Sequence, residues 1–439
     1  MQKEYINLKL DPYKGGKYML VVFHLVPKKG EDLLACASEV AAESSTGSNL
    51  RVGTATKFSD DLNAIVYKVN KKKNLVWIAF PWKIFDRGGN VQNILTYVVG
   101  NVFGMSNLKA LRALDCWFPS QMLKNYDGPS TTIMDAKKYL GIKDRPILGT
   151  IVKPKIGLKP KEFAEVCFQF WSGGGDFVKF DEPQADQEFC PFKEVVVEIR
   201  KAMNKAEKKT GKKKLMSFNI SAADFMTMKE RGDFIRKKMK KGSYIFLVDG
   251  ITAGWSAVQT ARRLWPDVFI HFHRAGHGCM TREENPIGYT VPFMTKFGRL
   301  AGASGMHTGT AGIGKMAGTK GEDINAAHQA LFKKSKGDFF EQDWGRIKGM
   351  CPIVSGGLNP VLLKPYADAV GTTDFITTMG GGVHSHPGGT ASGAAALLQA
   401  CEAWQKKIGL KKYAKDHEEL AQAIEFYVKK IPYTKKYLV

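Results

Sequence analysis

Eight short β-rich runs, at residues 147–152, 176–180, 215–220, 244–248, 268–272, 305–308, 353–355 and 375–379, constrain this chain more than any other feature. Longer amphipathic stretches lie between them, at 160–170, 193–208, 253–264, 324–332 and 390–406. Alternating strands and helices of this kind predict α/β architecture, here a (β/α)8 TIM barrel. A doubly wound sheet is the structural rival, but no GxGxxG fingerprint follows the first run. Ahead of the barrel, 18–25 and 64–69 read as strands and 32–42 and 91–99 as helices, a smaller α+β N-terminal domain. The turn-rich Asp127-Gly128-Pro129-Ser130 marks the boundary. The expected domains are therefore 1–128 and 129–439, the second closing with a short helical C-terminal tail.

Composition narrows the class. A hydrophobic share of 44% is enough for a large core. No run of about eighteen apolar residues exists, so no membrane span is expected. Residues 1–5 carry no apolar signal-peptide core. The seven cysteines (36, 116, 167, 190, 279, 351 and 401) are scattered and never spaced CxxC, which points away from a disulfide scaffold or zinc site and toward a reducing cytoplasm. The net charge of +23 comes from lysine runs such as 71–73, 212–214, 237–241 and 411–412. A basic nucleic-acid-binding protein is one reading. The runs are dispersed, seldom interleaved with aromatics and outside any recognition signature, so solvated helix faces that attract an anionic substrate are the better one.

A barrel requires its chemistry at the C-terminal ends of its strands. The first run ends in Lys153-Pro154-Lys155 and the second in Lys179, Asp181 and Glu182. The third ends in Asn219, the fifth in His271-Phe272-His273-Arg274, and the sixth in His307-Thr308-Gly309-Thr310. The seventh ends in Ser355-Gly356-Gly357 and the eighth in Gly380-Gly381-Gly382. Strand alternation puts Lys179 and Asp181 on one face, and Pro183 stops the run so that Glu182 turns in beside them. Alone, that segment is best read as an ion pair. Converting the Lys179 amine to a carbamate would instead bring three anionic oxygen groups to one point, a hard-cation site suited to Mg2+. The convergence of polar residues at the other strand ends favours the metal site. His271 and His273 form an HxH pair that could hold zinc, but their strand order does not fit the barrels that use one.

These motifs closely resemble the large subunit of ribulose-1,5-bisphosphate carboxylase/oxygenase (RuBisCO) across nearly the whole chain. Residues 149–155, 175–182, 271–277, 304–310 and the glycine-rich 311–315 loop carry the barrel part of the resemblance. Residues 42–47 and 100–104 resemble the N-terminal segments that complete a neighbour's site. Loop length, the early second domain and the short tail resemble form II or II/III enzymes.

The resemblance implies carboxylation of ribulose 1,5-bisphosphate to two 3-phosphoglycerate per CO2, with O2 competing. It implies Lys179 as the CO2-carbamylated base and, with Asp181 and Glu182, as Mg2+ ligand. Lys153 would protonate the carbanion left by C–C cleavage, tuned by Lys155. His273 would shuttle protons at C3, and Lys315 would close over the incoming CO2. Arg274 and His307 would hold the distal phosphate, with Ser355 on sugar or phosphate oxygens. Gly357, Gly380 and Gly381 would cradle the other phosphate, helped by Thr46 and Ser48. Glu43 would pair with Lys315 across a dimer interface, and Asn101 would touch substrate oxygens. The implied assembly is a homodimer or a multiple of dimers without a small subunit, and neither a membrane nor a nucleic acid is expected as partner. The alternative within the fold is a RuBisCO-like protein that enolises or isomerises another phosphorylated sugar. His271 reads as a core residue, and His384 has no assigned role.

Overall fold

A computed structural model describes residues 5–47, 52–316 and 318–438. Two compact units emerge, the first of residues 1–129, 276–302 and 332–349, the second of the remainder. Two late stretches, which the sequence reading leaves inside the barrel domain, thus belong to the first unit. The reason is backbone pairing and buried charge, neither visible as a composition shift.

The first unit is a five-stranded sheet of β1 (Tyr18–Pro27), β2 (Ile65–Asn70), β3 (Leu75–Pro81), β4 (Leu108–Trp117) and β10 (Ile287–Tyr289), in the order β10-β4-β1-β3-β2. β3, with all seven residues buried, pairs antiparallel with β1 from Tyr18↔Pro81 to His24↔Leu75. β10 joins parallel to β4, and the helix Val291–Leu300 that follows is buried along its whole length. Its charged residues must therefore find partners inside. Lys296 Nζ lies 2.7 Å from both Asp115 Oδ1 and the Cys116 carbonyl. Arg299 donates to the carbonyls of Phe332, Ile347 and Lys348 and stacks 4.3 Å from the Trp344 ring. Those bonds tie 332–349, with its hairpin β12 (Lys334–Lys336) and β13 (Glu341–Asp343), to the same unit. The helix Leu33–Glu43 begins at Asp32, whose carboxylate accepts from Leu34 and Ala35 N–H, satisfying donors a helix start leaves open.

The second unit is the expected barrel. Eight parallel strands close on themselves: β5 (Ile147–Ile151), β6 (Phe177–Lys179), β7 (Leu215–Asn219), β8 (Tyr244–Asp249), β9 (Phe269–His273), β11 (Gly305–His307), β14 (Cys351–Ser355) and β15 (Ile376–Thr378), the last pairing back onto β5. Near their N-terminal ends the strands contribute Ile147, Phe177, Leu215, Ile245, Phe269, Cys351, Ile353 and Ile376 to one buried cluster. The helix Ile133–Leu140 adds Ile133, Ala136 and Leu140 to it. Above this apolar floor the polar side chains gather toward the C-terminal ends of the strands. His384, unassigned from sequence, ties the rim together: its Nε2 lies 2.9 Å from Thr150 Oγ1 and 3.0 Å from the Ile151 carbonyl, and its Nδ1 3.0 Å from Thr390 Oγ1. Among the described residues no helix is long and apolar enough to cross a membrane.

Candidate active site

β6 ends at Lys179, one residue short of the expected run, but the ladder continues as Phe180 N–H donates to the Ser217 carbonyl at 3.0 Å. Phe180 packs outward, 4.9 Å from the Phe163 ring and 5.6 Å from Phe218, while Phe177 joins the barrel floor. This alternation aims Lys179 and Asp181 into the mouth. Asn219 holds the loop after β6 by donating to the carbonyls of Glu182 and Gln184, at 2.8 and 3.2 Å.

Lys179 is fully buried and its Nζ has no hydrogen-bond partner. The nearest carboxylate oxygen is Asp181 Oδ1 at 3.8 Å. Burial pushes this ammonium below an ordinary lysine, against the attraction of Asp181, Glu182 and Asp249. The two rim lysines each take one carboxylate: Lys153 Nζ lies 2.5 Å from Asp181 Oδ2, and Lys155 Nζ 2.7 Å from Glu182 Oε1. Lys155 is raised above its ordinary value, first by that hydrogen bond to Glu182. Burial works to raise Glu182, yet hydrogen bonds with Asp181 and Lys155 hold it well below the usual carboxylate range. Gly380 lets Lys153 pass, since a Cβ there would stand 3.1 Å from Lys153 Cε.

His273 reaches between two acids, with Nε2 3.6 Å from Glu182 Oε2 and Nδ1 3.2 Å from Asp249 Oδ1. Burial lowers its pKa, opposed by the Asp249 contact. Asp249 is a rim residue that the sequence reading passes over. The rule that found the others, the residue closing a barrel strand, would have found it at the end of β8. His307 lies between His271 and Ser355, at 3.0 Å (Nε2 to Nε2) and 3.1 Å (Nδ1 to Oγ). Burial, then the neighbouring imidazole His271, pushes His307 well down. Arg274 keeps Nη1 buried without a hydrogen-bond partner, and burial brings its guanidinium down to about 10.

The loop after β11 is anchored by Asp323, also absent from the sequence reading. Its Oδ2 accepts from Thr310 N–H at 2.9 Å and Gly312 N–H at 3.4 Å. Further along, Lys315 lies against the turn after β14, where a Cβ on Gly357 would meet Lys315 N and Cβ at 2.6 Å. Gly381 opens the short helix Gly381–His384. In the first unit Asn101 Nδ2 donates to Glu43 Oε1 at 3.2 Å, and Thr46 Oγ1 donates to Asn63 Oδ1 at 2.6 Å. Ser48 lies outside the described residues.

Among the described residues no group of three His, Cys, Asp or Glu stands ready to hold a metal ion. Asp181 and Glu182 supply two carboxylates beside a buried amine without a partner. A divalent ion would fit there if that amine became an anion able to serve as a third ligand.

Together the barrel and its rim define a (β/α)8-barrel enzyme built around a buried lysine flanked by carboxylates and histidines. Residues 132–427 match the family model of the ribulose bisphosphate carboxylase large chain, catalytic domain, and residues 4–122 its N-terminal domain. A ribulose bisphosphate carboxylase from Paramagnetospirillum magnetotacticum is 42% identical over 438 residues, covering 97% of this chain and 95% of that protein. Another from Rhodobacter capsulatus is 41% identical over 427 residues, 95% of this chain and 93% of that protein. Among solved structures, a dimeric archaeal Rubisco from Hyperthermus butylicus superposes with a TM-score of 0.89 at 35% identity, over 96% of this chain and 98% of that one. The octameric enzyme from Pyrococcus horikoshii gives 0.88 at 31% identity, over 97% and 96%. The chain belongs to the ribulose bisphosphate carboxylase large-chain family, and membership implies a metal ion and a carbamylated lysine.

Proposed function

We propose that this chain carboxylates ribulose 1,5-bisphosphate to two 3-phosphoglycerate, with O2 competing for the same intermediate. The observation that carries the reading is Lys179 Nζ, buried, unbonded and 3.8 Å from Asp181 at the barrel mouth of a family member. Burial favours the free amine, whose lone pair attacks CO2; an N–H proton leaves to solvent and a carbamate remains. Lys179 as carbamate, Asp181 and Glu182 would hold Mg2+, which would stabilise charge on the sugar oxygens while the carbamate accepts the C3 proton.

The remaining steps belong to the chain's own side chains. Lys153 and Lys155 neutralise Asp181 and Glu182 in this structure. Once a cation takes that charge, Lys153 Nζ is free to protonate the carbanion left by C–C cleavage, with Lys155 beside it. His273, steadied by Asp249, moves the proton at C3 during hydration. Arg274 and His307 bind the distal phosphate, Arg274 with a buried N–H lacking any partner. Ser355 contacts sugar or phosphate oxygens. Gly357, Gly380 and Gly381 offer backbone N–H groups to the other phosphate, joined by Thr46 and Ser48 from the N-terminal segment of a second copy. Lys315 covers the incoming CO2. Glu43 and Asn101 act on the site of a second copy in a homodimer or multiple of dimers, as in the dimeric and octameric relatives, without a small subunit.

The test is incubation with ribulose bisphosphate and labelled bicarbonate, with and without prior exposure to CO2 and Mg2+. Labelled 3-phosphoglycerate, formed faster after preincubation, is expected. An isomerised sugar phosphate without label would replace this reading by the enolase alternative. Nucleic-acid retention at physiological salt without carboxylation would replace both.

A further inference from the structure

Four side chains form a file across the barrel, and the proposed mechanism uses only its far end. Ser217 on β7 places Oγ 3.4 Å from His271 Nδ1 on β9. His271 Nε2 faces His307 Nε2 on β11 at 3.0 Å, and His307 Nδ1 faces Ser355 Oγ on β14 at 3.1 Å. Ser217 and His271 are fully buried, His307 nearly so, and Ser355 is partly exposed.

Two imidazole nitrogens 3.0 Å apart cannot both carry a proton, and two bare ones would repel. One ring donates and the other accepts. A neutral ring has a single N–H, so the choice at the central contact fixes the outer nitrogens as well. Burial disfavours the imidazolium form of both rings. The file therefore has two arrangements, with every hydrogen pointing one way or the other. The substrate end decides between them. Phosphate oxygens only accept, so the Ser355 hydroxyl must keep its hydrogen for them. Ser355 Oγ then accepts from His307 Nδ1–H, His307 Nε2 accepts from His271 Nε2–H, and His271 Nδ1 accepts from the Ser217 hydroxyl.

We propose that Ser217 and His271, both sealed from the mouth, are positioning residues that hold His307 in its Nδ1–H tautomer, so that Ser355, which accepts that N–H, presents its own O–H to the sugar bisphosphate. The direction of the file rests on the carboxylase reading, because the phosphate oxygens set it; the pairing of one donor ring with one acceptor ring does not. His271 is then more than the core residue its position on an inward strand face suggests.

The experiment is nitrogen-15 NMR of the full-length protein labelled at histidine, read beside steady-state kinetics. His271 is expected as the neutral Nε2–H tautomer and His307 as the neutral Nδ1–H tautomer. The reverse pair, or an imidazolium on either ring, overturns the proposal. His271→Leu removes the inner donor and is expected to mix the His307 tautomers and lower kcat/KM for ribulose bisphosphate about tenfold or more. His271→Gln, whose amide N–H can replace Nε2–H, is expected to stay within about threefold of wild type. A Leu variant with wild-type kcat/KM and an unchanged His307 signal overturns the proposal. Should the Leu variant not fold, Ser217→Ala keeps both rings and deletes only the first donor; it should mix the tautomers, and an unmixed spectrum refutes the file. Correct tautomers without carboxylation would fault the function reading alone, and carboxylation with the wrong tautomers would fault this inference alone.

Discussion

Replacing Lys179 with Met tests the centre of the argument without requiring turnover. The side chain is fully buried, so as an ammonium it costs several kcal/mol in lost hydration. Asp181 at 3.8 Å returns about 4 kcal/mol at an effective dielectric near 20. The two nearly cancel, and Asp181 keeps Lys153 at 2.5 Å, so Lys179→Met strands no carboxylate. Without CO2 and Mg2+ its unfolding midpoint should lie within about 2 °C of wild type or above it. With CO2 present and Mg2+ at about a hundred times its apparent dissociation constant in that CO2, wild type should gain about 2.7 kcal/mol by mass action. At about 2.1 cal/mol/K per residue, 439 residues carry an unfolding entropy near 0.9 kcal/mol/K, so the gain is about 3 °C. The assay is thermal unfolding under four conditions: neither ligand, each alone, and both. The Met variant should show no joint effect and no carboxylation. A wild type that does not shift, or a Met variant that shifts as far, would refute the carbamate site.

Three further predictions rest on separate parts of the molecule. Lys315→Ala should retain proton exchange at C3 while losing carboxylation; equal loss of both would mean the loop acts before CO2 arrives. Lys214 is buried, donates to the Gly175 carbonyl at 2.8 Å, and burial brings it down to about 8. Below pH 8 both states hold its proton and the burial cost is complete; between about pH 8 and 10.4 the unfolded chain holds more protons, so stability rises with pH. Chemical denaturation at pH 7.5 and 9.5 should show wild type gaining about 2 kcal/mol more than Lys214→Met over that interval, and equal gains would count against the assignment. Lys296→Met leaves Asp115 buried beside the Cys116 and Phe340 N–H groups alone and should cost about 3 to 5 kcal/mol in unfolding free energy. A loss under about 1 kcal/mol would show that those N–H groups suffice.

Much of the barrel was legible because its signal is local. Each strand is a short apolar run whose period of two needs no partner to be read, and glycine or charge closes it. The helices 160–170, 193–208 and 390–406 were placed within a few residues of Pro160–Ser172, Phe192–Thr210 and Gly389–Gln405. β3 escaped because a uniformly buried run does not alternate, β4 because its charged residues Lys109, Arg112 and Asp115 recur every third position rather than every second, and β10 because three residues carry no period. The rim residues were found by one rule, closure of a barrel strand. Applied to the fourth strand it would also have given Asp249. Asp323 was out of reach of that rule, because it acts from the start of a helix on a loop eleven to thirteen residues earlier.

The sequence alone determined which residues stand at the rim, since strand period and chain order dictate them whatever packs around. Tertiary structure decided what each one faces. Lys153 meets Asp181 and Lys155 meets Glu182; the chain could equally have crossed those pairs. The His271 and His307 nitrogens oppose each other only because β9 and β11 pair in one particular register. Strand membership is written in neighbours two residues apart, whereas partner, burial and protonation depend on distances across a closed sheet between residues tens of positions apart.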